Sequence, residues 1–139
     1  MSQAEEREKV LRANYTAFNN GDIEGLLEHV HPDVELVGAD EQGKLNPDEA
    51  WRGKDEARRF YEGVRGVMGV QWIEIVELEF DGDAIVAKVF LHGSNEASRA
   101  EGAVPAVRRH VFDGLLIKRV ETYRQGWSLP RFEGETTDA

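Results

Sequence analysis

The chain contains no cysteine, which removes disulfide scaffolds, thiolate zinc sites, iron–sulfur clusters and cysteine nucleophiles together. No stretch approaches the ~18 consecutive apolar residues of a membrane span. The first ten residues, MSQAEEREKV, are charged where a secretion signal has its apolar centre, so the expected location is cytoplasmic. Positive charge is in deficit: 17 Lys and Arg against 27 Asp and Glu give a formal net charge of -10. Such a field repels phosphate backbones and anionic bilayers. Neither nucleic acid nor a membrane is therefore an expected partner, and a small molecule or another protein is. Gly63, Gly66 and Gly69 lie in a helical stretch that follows no strand, so they do not form a phosphate-binding loop.

At 139 residues the chain is long enough for one core and too short for two. The reading is a single domain over residues 1–133, followed by a tail, 134–139, with nothing to bury and an expectation of disorder. Residues 4–20 place Val10, Leu11, Tyr15 and Phe18 at helical spacing, and Asn20-Gly21 supplies the stop. Asp22 can cap a short second helix, 23–28, that ends at His31-Pro32-Asp33. Val34-Glu35-Leu36-Val37 alternates as a strand does. Residues 39–47 are polar, a loop long enough to overhang a mouth. A third helix over 54–68 carries Ala57, Phe60, Tyr61, Val64 and Val67 on one stripe.

Beyond Gly69 the period falls from helical to two. Strands are expected over 71–80 and 84–92 about Asp81-Gly82-Asp83, then over 104–112 and 115–124 about Asp113-Gly114. Asp-Gly tolerates the positive φ angles of tight hairpins. The segment 93–102 reads as a looser connection. Helices first and long antiparallel strands afterwards make an α+β layout. Three helices cannot cover such a sheet, so a pocket is expected between the sheet and the first helix, and a second subunit on the outer sheet face.

Five local signatures stand in order. They are Tyr15-Thr16-Ala17-Phe18-Asn19-Asn20-Gly21-Asp22, His31-Pro32-Asp33-Val34-Glu35, Trp51-Arg52-Gly53-Lys54, Arg58-Arg59-Phe60-Tyr61, and His110-Val111-Phe112-Asp113-Gly114 followed by Val120-Glu121-Thr122-Tyr123. Over residues 10–124 the chain thereby resembles the nuclear transport factor 2-like superfamily, specifically its SnoaL-like and ketosteroid isomerase-like bacterial members. The resemblance implies a cone-shaped barrel, in which a curved antiparallel sheet wraps on three N-terminal helices, with a deep pocket and commonly a homodimer through the sheet. It does not imply one activity, because the superfamily spans isomerases, cyclases, dehydratases, epoxide hydrolases and binding modules.

Departures from the family's working positions are as informative. The carboxylate that ketosteroid isomerases carry late in the first strand falls at Val37 or a neighbour, where there is no acid. Their penultimate-strand acid falls near Arg108. The aspartate of SnoaL-like cyclases, just after the last-strand tyrosine, falls at Gln125. No aspartate–arginine–aspartate set of the limonene epoxide hydrolase kind stands out.

If the penultimate strand keeps the family's facing, Arg108, His110 and Phe112 point inward and Val107, Arg109 and Val111 outward. Arg108 could then steady an oxyanion while His110 transfers a proton. The structural alternative pairs Arg108 with an internal carboxylate such as Glu121 and leaves His110 hydrogen-bonded in the wall; a bulge would bring Arg109 inside instead. Tyr15, with Asn14 beside it, sits where the isomerases place a hydrogen-bonding tyrosine, and could otherwise be a core residue. The candidate catalytic residues are His110, Arg108 and Tyr15. Candidate pocket lining is Asn14, Phe18, Trp51, Phe60, Tyr61, Val64, Trp72, Phe112 and Tyr123, suited to a hydrophobic small molecule. His29-Val30-His31 has the spacing of two metal ligands but lacks an obvious third, so no metal and no cofactor are expected. Phe90 and His92, outward if Lys88 is, are candidates for a dimer interface. Enzymatic isomerisation, cyclisation or dehydration and non-catalytic binding or dimerisation both stay open.

Overall fold

A computed structural model describes residues 2–40, 42–95 and 100–123. The 134–139 tail and Gln125 lie outside them. Helix α1 (Gln3–Asn19) opens with a reciprocal cap: the Glu5 amide donates to Ser2 Oγ at 3.1 Å and the Ser2 amide to Glu5 Oε1 at 3.0 Å, satisfying two amides that the first turn leaves unpaired. Gly21, at φ +78°, turns the chain into α2 (Ile23–Leu27), which Asp22 caps through the Gly25 amide. Strand β1 (Val30–Gly38) follows directly. His31-Pro32-Asp33 is therefore part of a strand rather than a helix stop: Val30 already pairs with Ile117, and the register slips before Glu35, the kind of irregularity that lets a strand hold a proline.

After a short 3-10 turn (Pro47–Glu49), β2 (Trp51–Arg52) pairs with Glu35 and Leu36. Two residues are too few for any periodicity to show. Helix α3 (Gly53–Gly66) ends before the expected boundary, leaving Val67 exposed. Strands β3 (Val70–Asp81), β4 (Ala84–Asn95), β5 (Ala100–Asp113) and β6 (Leu116–Tyr123) form an antiparallel meander. Its hairpins turn at Gly82 and Gly114, with φ of +62° and +64°. Residues 93–95 and 100–102, expected in a connection, continue β4 and β5.

The sheet order is β2-β1-β6-β5-β4-β3, with β1 parallel to β6. The six strands thus form a mixed, open, curved sheet rather than a closed, wholly antiparallel barrel. Hairpin signals identify antiparallel neighbours only, whereas a parallel pairing needs a crossover, here through α3 and the meander. Register shifts in the β3–β4 and β5–β6 ladders mark where the strands bend.

The inner sheet face packs on Leu11, Tyr15 and Phe18 of α1 and on Ala57, Tyr61 and Val64 of α3. Polar pins fix the helices. Arg7 donates Nε to the Gly114 carbonyl at 2.8 Å and Nη1 to Asp83 at 3.0 Å, beneath its stacking on Phe112. Asn19 clamps the free edge of β3, accepting from the Ile73 amide at 2.7 Å and donating to its carbonyl at 3.1 Å, which blocks one place for a further strand to add. Toward the hairpin end, the outer face carries a charge ladder through Glu35, Arg119, Glu121, Arg109 and Asp81. Toward the other end it carries Trp72 stacked on His92 at 4.1 Å.

Candidate functional site

A cavity of about 330 Å³ opens between the far end of β1 and β6, helix α3 and the loop after β1. It does not lie under α1, as expected, because Leu11, Tyr15 and Phe18 fill that space. Leu36, Val37, Ala39, Trp51 and Phe60 supply apolar wall, with Trp51 edge-on to Phe60 at 5.6 Å. The polar lining divides by depth: Arg108 is buried, 6% exposed, whereas Asp40, Asn46 and Glu49 are exposed at the mouth. Thr122 lies opposite Arg108 across the β5–β6 ladder. The pocket is thus apolar in its walls and polar at both ends, not apolar throughout.

Arg108, His110 and Phe112 face the helices, and Arg109 faces out to Asp81 and Glu121. Glu121 does not reach Arg108; it pairs with Arg109 and Arg119 on the outer side. Arg108 instead donates Nη1 to the Tyr15 hydroxyl and Nη2 to the Tyr61 hydroxyl, each at 3.0 Å, with Nε 3.4 Å from Thr122 Oγ1. None of these partners is an acid, and no ion pair of Arg108 occurs among the described residues. A guanidinium has five N–H donors, so two remain beyond those three contacts. Burial works against its charge, but the two phenol oxygens hold its pKa above the ordinary value.

Behind Tyr15 lies His110, 1% exposed. Its Nδ1 sits 3.1 Å from the Ile85 carbonyl and its Nε2 2.8 Å from the Tyr15 oxygen. A carbonyl can only accept, so Nδ1 carries the ring proton and Nε2 accepts from the Tyr15 O–H. Burial, and then the Arg108 charge, push the ring down to about 3. His110 is therefore neutral at physiological pH with both nitrogens engaged inside the wall. Burial likewise pushes the Tyr15 phenol up to about 12 against the pull of Arg108. The chain of contacts runs from the Ile85 carbonyl through His110 and Tyr15 to Arg108, and only Arg108 of the three candidate catalytic residues meets the cavity.

Of the expected lining, Trp51 and Phe60 are in place. Tyr61 touches the site only through Arg108, its ring edge-on to Phe60 and Phe18. Asn14 is committed to the Leu26 carbonyl, and Phe18, Val64 and Phe112 belong to the core. Trp72 lies on the opposite sheet face, since it pairs with His92, one residue beyond core-facing Leu91. Tyr123 also faces outward, beside Val86 and Val107, because its neighbour Thr122 takes the inward position. Its phenol, next to Glu121, is pushed up to about 12, first by burial.

Thr122, Asp40, Asn46 and Glu49 escaped the sequence reading. Pairing outward from Asp113-Gly114 could have found Thr122; nothing local marks the loop residues. Late in β1 there is indeed no acid, but Asp40, two residues beyond its end, reaches the cavity, with Oδ1 accepting from the Gln42 and Lys44 amides. For a metal, the described residues contain no group of three or more His, Asp or Glu able to hold one: His31 pairs with Asp113 at 3.4 Å, apart from His29.

The SnoaL-like domain family model matches residues 11–120. The chain belongs to the SnoaL-like domain family. No curated protein matches it in sequence. Among solved structures, this SnoaL-like chain is similar to a nuclear transport factor 2-like protein of unknown function from Burkholderia pseudomallei, with 20% identity, TM-score 0.69, 90% of this chain and 92% of that chain covered. It is similar to a protein with a ketosteroid isomerase-like fold from Catenulispora acidiphila in complex with trimethylamine, with 15% identity, TM-score 0.67 and 82% and 83% covered. TerC, co-crystallised with polyporic acid, shares 20% identity, TM-score 0.65 and 86% and 92% coverage. At these identities the structural likeness establishes the nuclear transport factor 2-like α+β fold. No helix among the described residues is long and apolar enough to cross a membrane.

Proposed function

We propose that this SnoaL-like domain binds a small, largely apolar molecule and holds an anionic oxygen of it on Arg108. The observation that carries this reading is a buried guanidinium at the cavity floor whose neighbours among the described residues are phenols and a threonine, with no carboxylate. A buried cation without a counter-charge costs stability, and its two remaining donors match the paired oxygens of a carboxylate or an acidic enol. Trp51 and Phe60 would flank an apolar body, and a cavity of this size suits a ligand of one or two rings. TerC's co-crystallisation with polyporic acid is compatible with a ligand of that kind. Titration with 2-naphthoate and with the uncharged 2-naphthamide tests the reading: the acid is expected to bind about a hundredfold tighter. Equal binding, or none by the acid, overturns it.

Catalysis is a second reading, favoured by Asp40 in the same cavity. Arg108 would stabilise a developing enolate and the carboxylate would move the proton; His110, neutral and enclosed, would hold the wall together rather than titrate. We further propose a homodimer through the outer sheet face. Trp72 and Val76 are exposed on β3, and the Lys88–Glu77, Arg109–Asp81 and Arg109–Glu121 pairs offset part of the acidic charge of that face, which lessens the repulsion between two copies of net charge -10. Sedimentation is expected to show a mass near twice 15.7 kDa, reduced to the monomer by Phe90→Glu; a wild-type monomer at micromolar concentration overturns the dimer.

A further inference from the structure

The two polar ends of the cavity carry opposite charge. Arg108 occupies the buried end, while Asp40 and Glu49, both exposed, stand at the mouth. Asp40 is oriented by its own loop through the Gln42 and Lys44 amides, which keeps its carboxylate at that rim. The Glu49 side chain has no hydrogen bond or ion pair among the described residues, and its place follows from the Pro47–Glu49 turn, where its amide donates to the Asn46 carbonyl at 3.1 Å. Among the described residues, no basic side chain other than Arg108 lines the cavity.

Resting on the anchoring role of Arg108, we propose that the pocket selects monoanions: the single negative group seats on Arg108, and the end left at the mouth is neutral or cationic. Dianions are disfavoured because a second negative group would stand against Asp40 and Glu49. Like charges several ångströms apart at a solvated rim repel only modestly, and the two carboxylates together amount to roughly tenfold. The Tyr15 proton is committed to His110, and a guanidinium does not release its own. The buried end therefore supplies positive charge but no proton, and it favours a ligand that arrives already ionised. A cationic outer group would gain both from the rim carboxylates and from the half-exposed ring of Trp51.

Calorimetric titration of the intact protein with three probes of one shape tests this. Naphthalene-2,6-dicarboxylate is expected to bind about tenfold more weakly than 2-naphthoate, and 6-(aminomethyl)-2-naphthoate at least as tightly. Glu49→Gln, a change at an exposed side chain with no partner among the described residues, is expected to narrow the gap between dicarboxylate and monocarboxylate. Added salt should narrow the same gap, since rim charges are screened more than buried ones. If 2-naphthoate binds and the dicarboxylate binds equally well, monoanion selection is overturned while the Arg108 anchor stands. If Glu49→Gln leaves the gap unchanged, the rim is not its source and the proposal is likewise overturned. If 2-naphthoate does not bind at all, the anchor itself falls, and with it the selection.

Discussion

Arg108→Met is expected to abolish carboxylate binding and to leave the protein as stable as before, or more so. In most sites the two effects move together, because the residue that holds a ligand also holds the fold. Here the guanidinium is buried with two phenols and a distant threonine hydroxyl as partners. Methionine keeps an unbranched, largely apolar stem, ends about two heavy atoms short of the guanidinium nitrogens, and carries no charge. Its introduction removes the desolvation cost of a cation that meets no carboxylate among the described residues, several kcal/mol in a real interior. Against that stands the loss of two hydrogen bonds to phenol oxygens, roughly 1.5–3 kcal/mol each for a charged donor. Tyr15 keeps its bond to His110, and Tyr61 borders the cavity floor through the space Arg108 vacates. The expected readouts are a urea midpoint unchanged or raised, and an affinity for 2-naphthoate lower by about a hundredfold or more. A large loss of stability with binding retained would show Arg108 to be a structural post. Arg108→Lys should not restore binding, because one ammonium cannot span both phenols and a bidentate ligand.

The second large effect is on acid stability, and His110 sets it. In the folded protein its ring stays neutral down to about pH 3, whereas in the unfolded chain it protonates near 6.5. Above pH 6.5 both states hold the neutral ring and the group contributes no pH dependence. Between 6.5 and 3 the unfolded chain takes up a proton that the native structure refuses, so stability falls with pH by about 1.4 kcal/mol per unit. By pH 5 the loss from this one group reaches about 2 kcal/mol, which is large beside a typical domain stability of roughly 5–15 kcal/mol. His110→Gln keeps an acceptor for Tyr15 and does not titrate. Its unfolding free energy is expected to be lower at pH 7 and flatter from pH 6.5 to 4.5, so that the two curves converge on acidification. Denaturant melts at half-unit pH steps check this; parallel curves would mean that the ring is not held neutral. A group enclosed this way holds Tyr15, and through it Arg108, in one orientation at every physiological pH.

Most of the architecture was legible along the chain because its causes are local. Leu11, Tyr15 and Phe18 at helical spacing, Asp22 capping α2, and Asp-Gly at both hairpins act over a few residues, where propensity and turn chemistry operate. Alternation, taken with the facing that the family resemblance implies, placed Arg108, His110 and Phe112 on one face and Arg109 on the other. The β1–β6 parallel pairing was not legible, since nothing near either strand encodes a partner more than eighty residues away in the chain.

The candidate site divides the same way. The family resemblance, with strand alternation, named Arg108, and residue type named Trp51 and Phe60, because a strand's facing and an aromatic side chain are features of single elements. Whether Arg108 met an acid depended on the side on which Glu121 emerges from β6, and that follows from the register of the β5–β6 hairpin. The burial of His110 came from packing against Tyr15 and Ile85 across three elements. The mouth formed where the loop after β1 and the short β2 strand come together beside α3. Burial and counter-charge are properties of what the surrounding chain brings close, so they appear only once distant segments have packed.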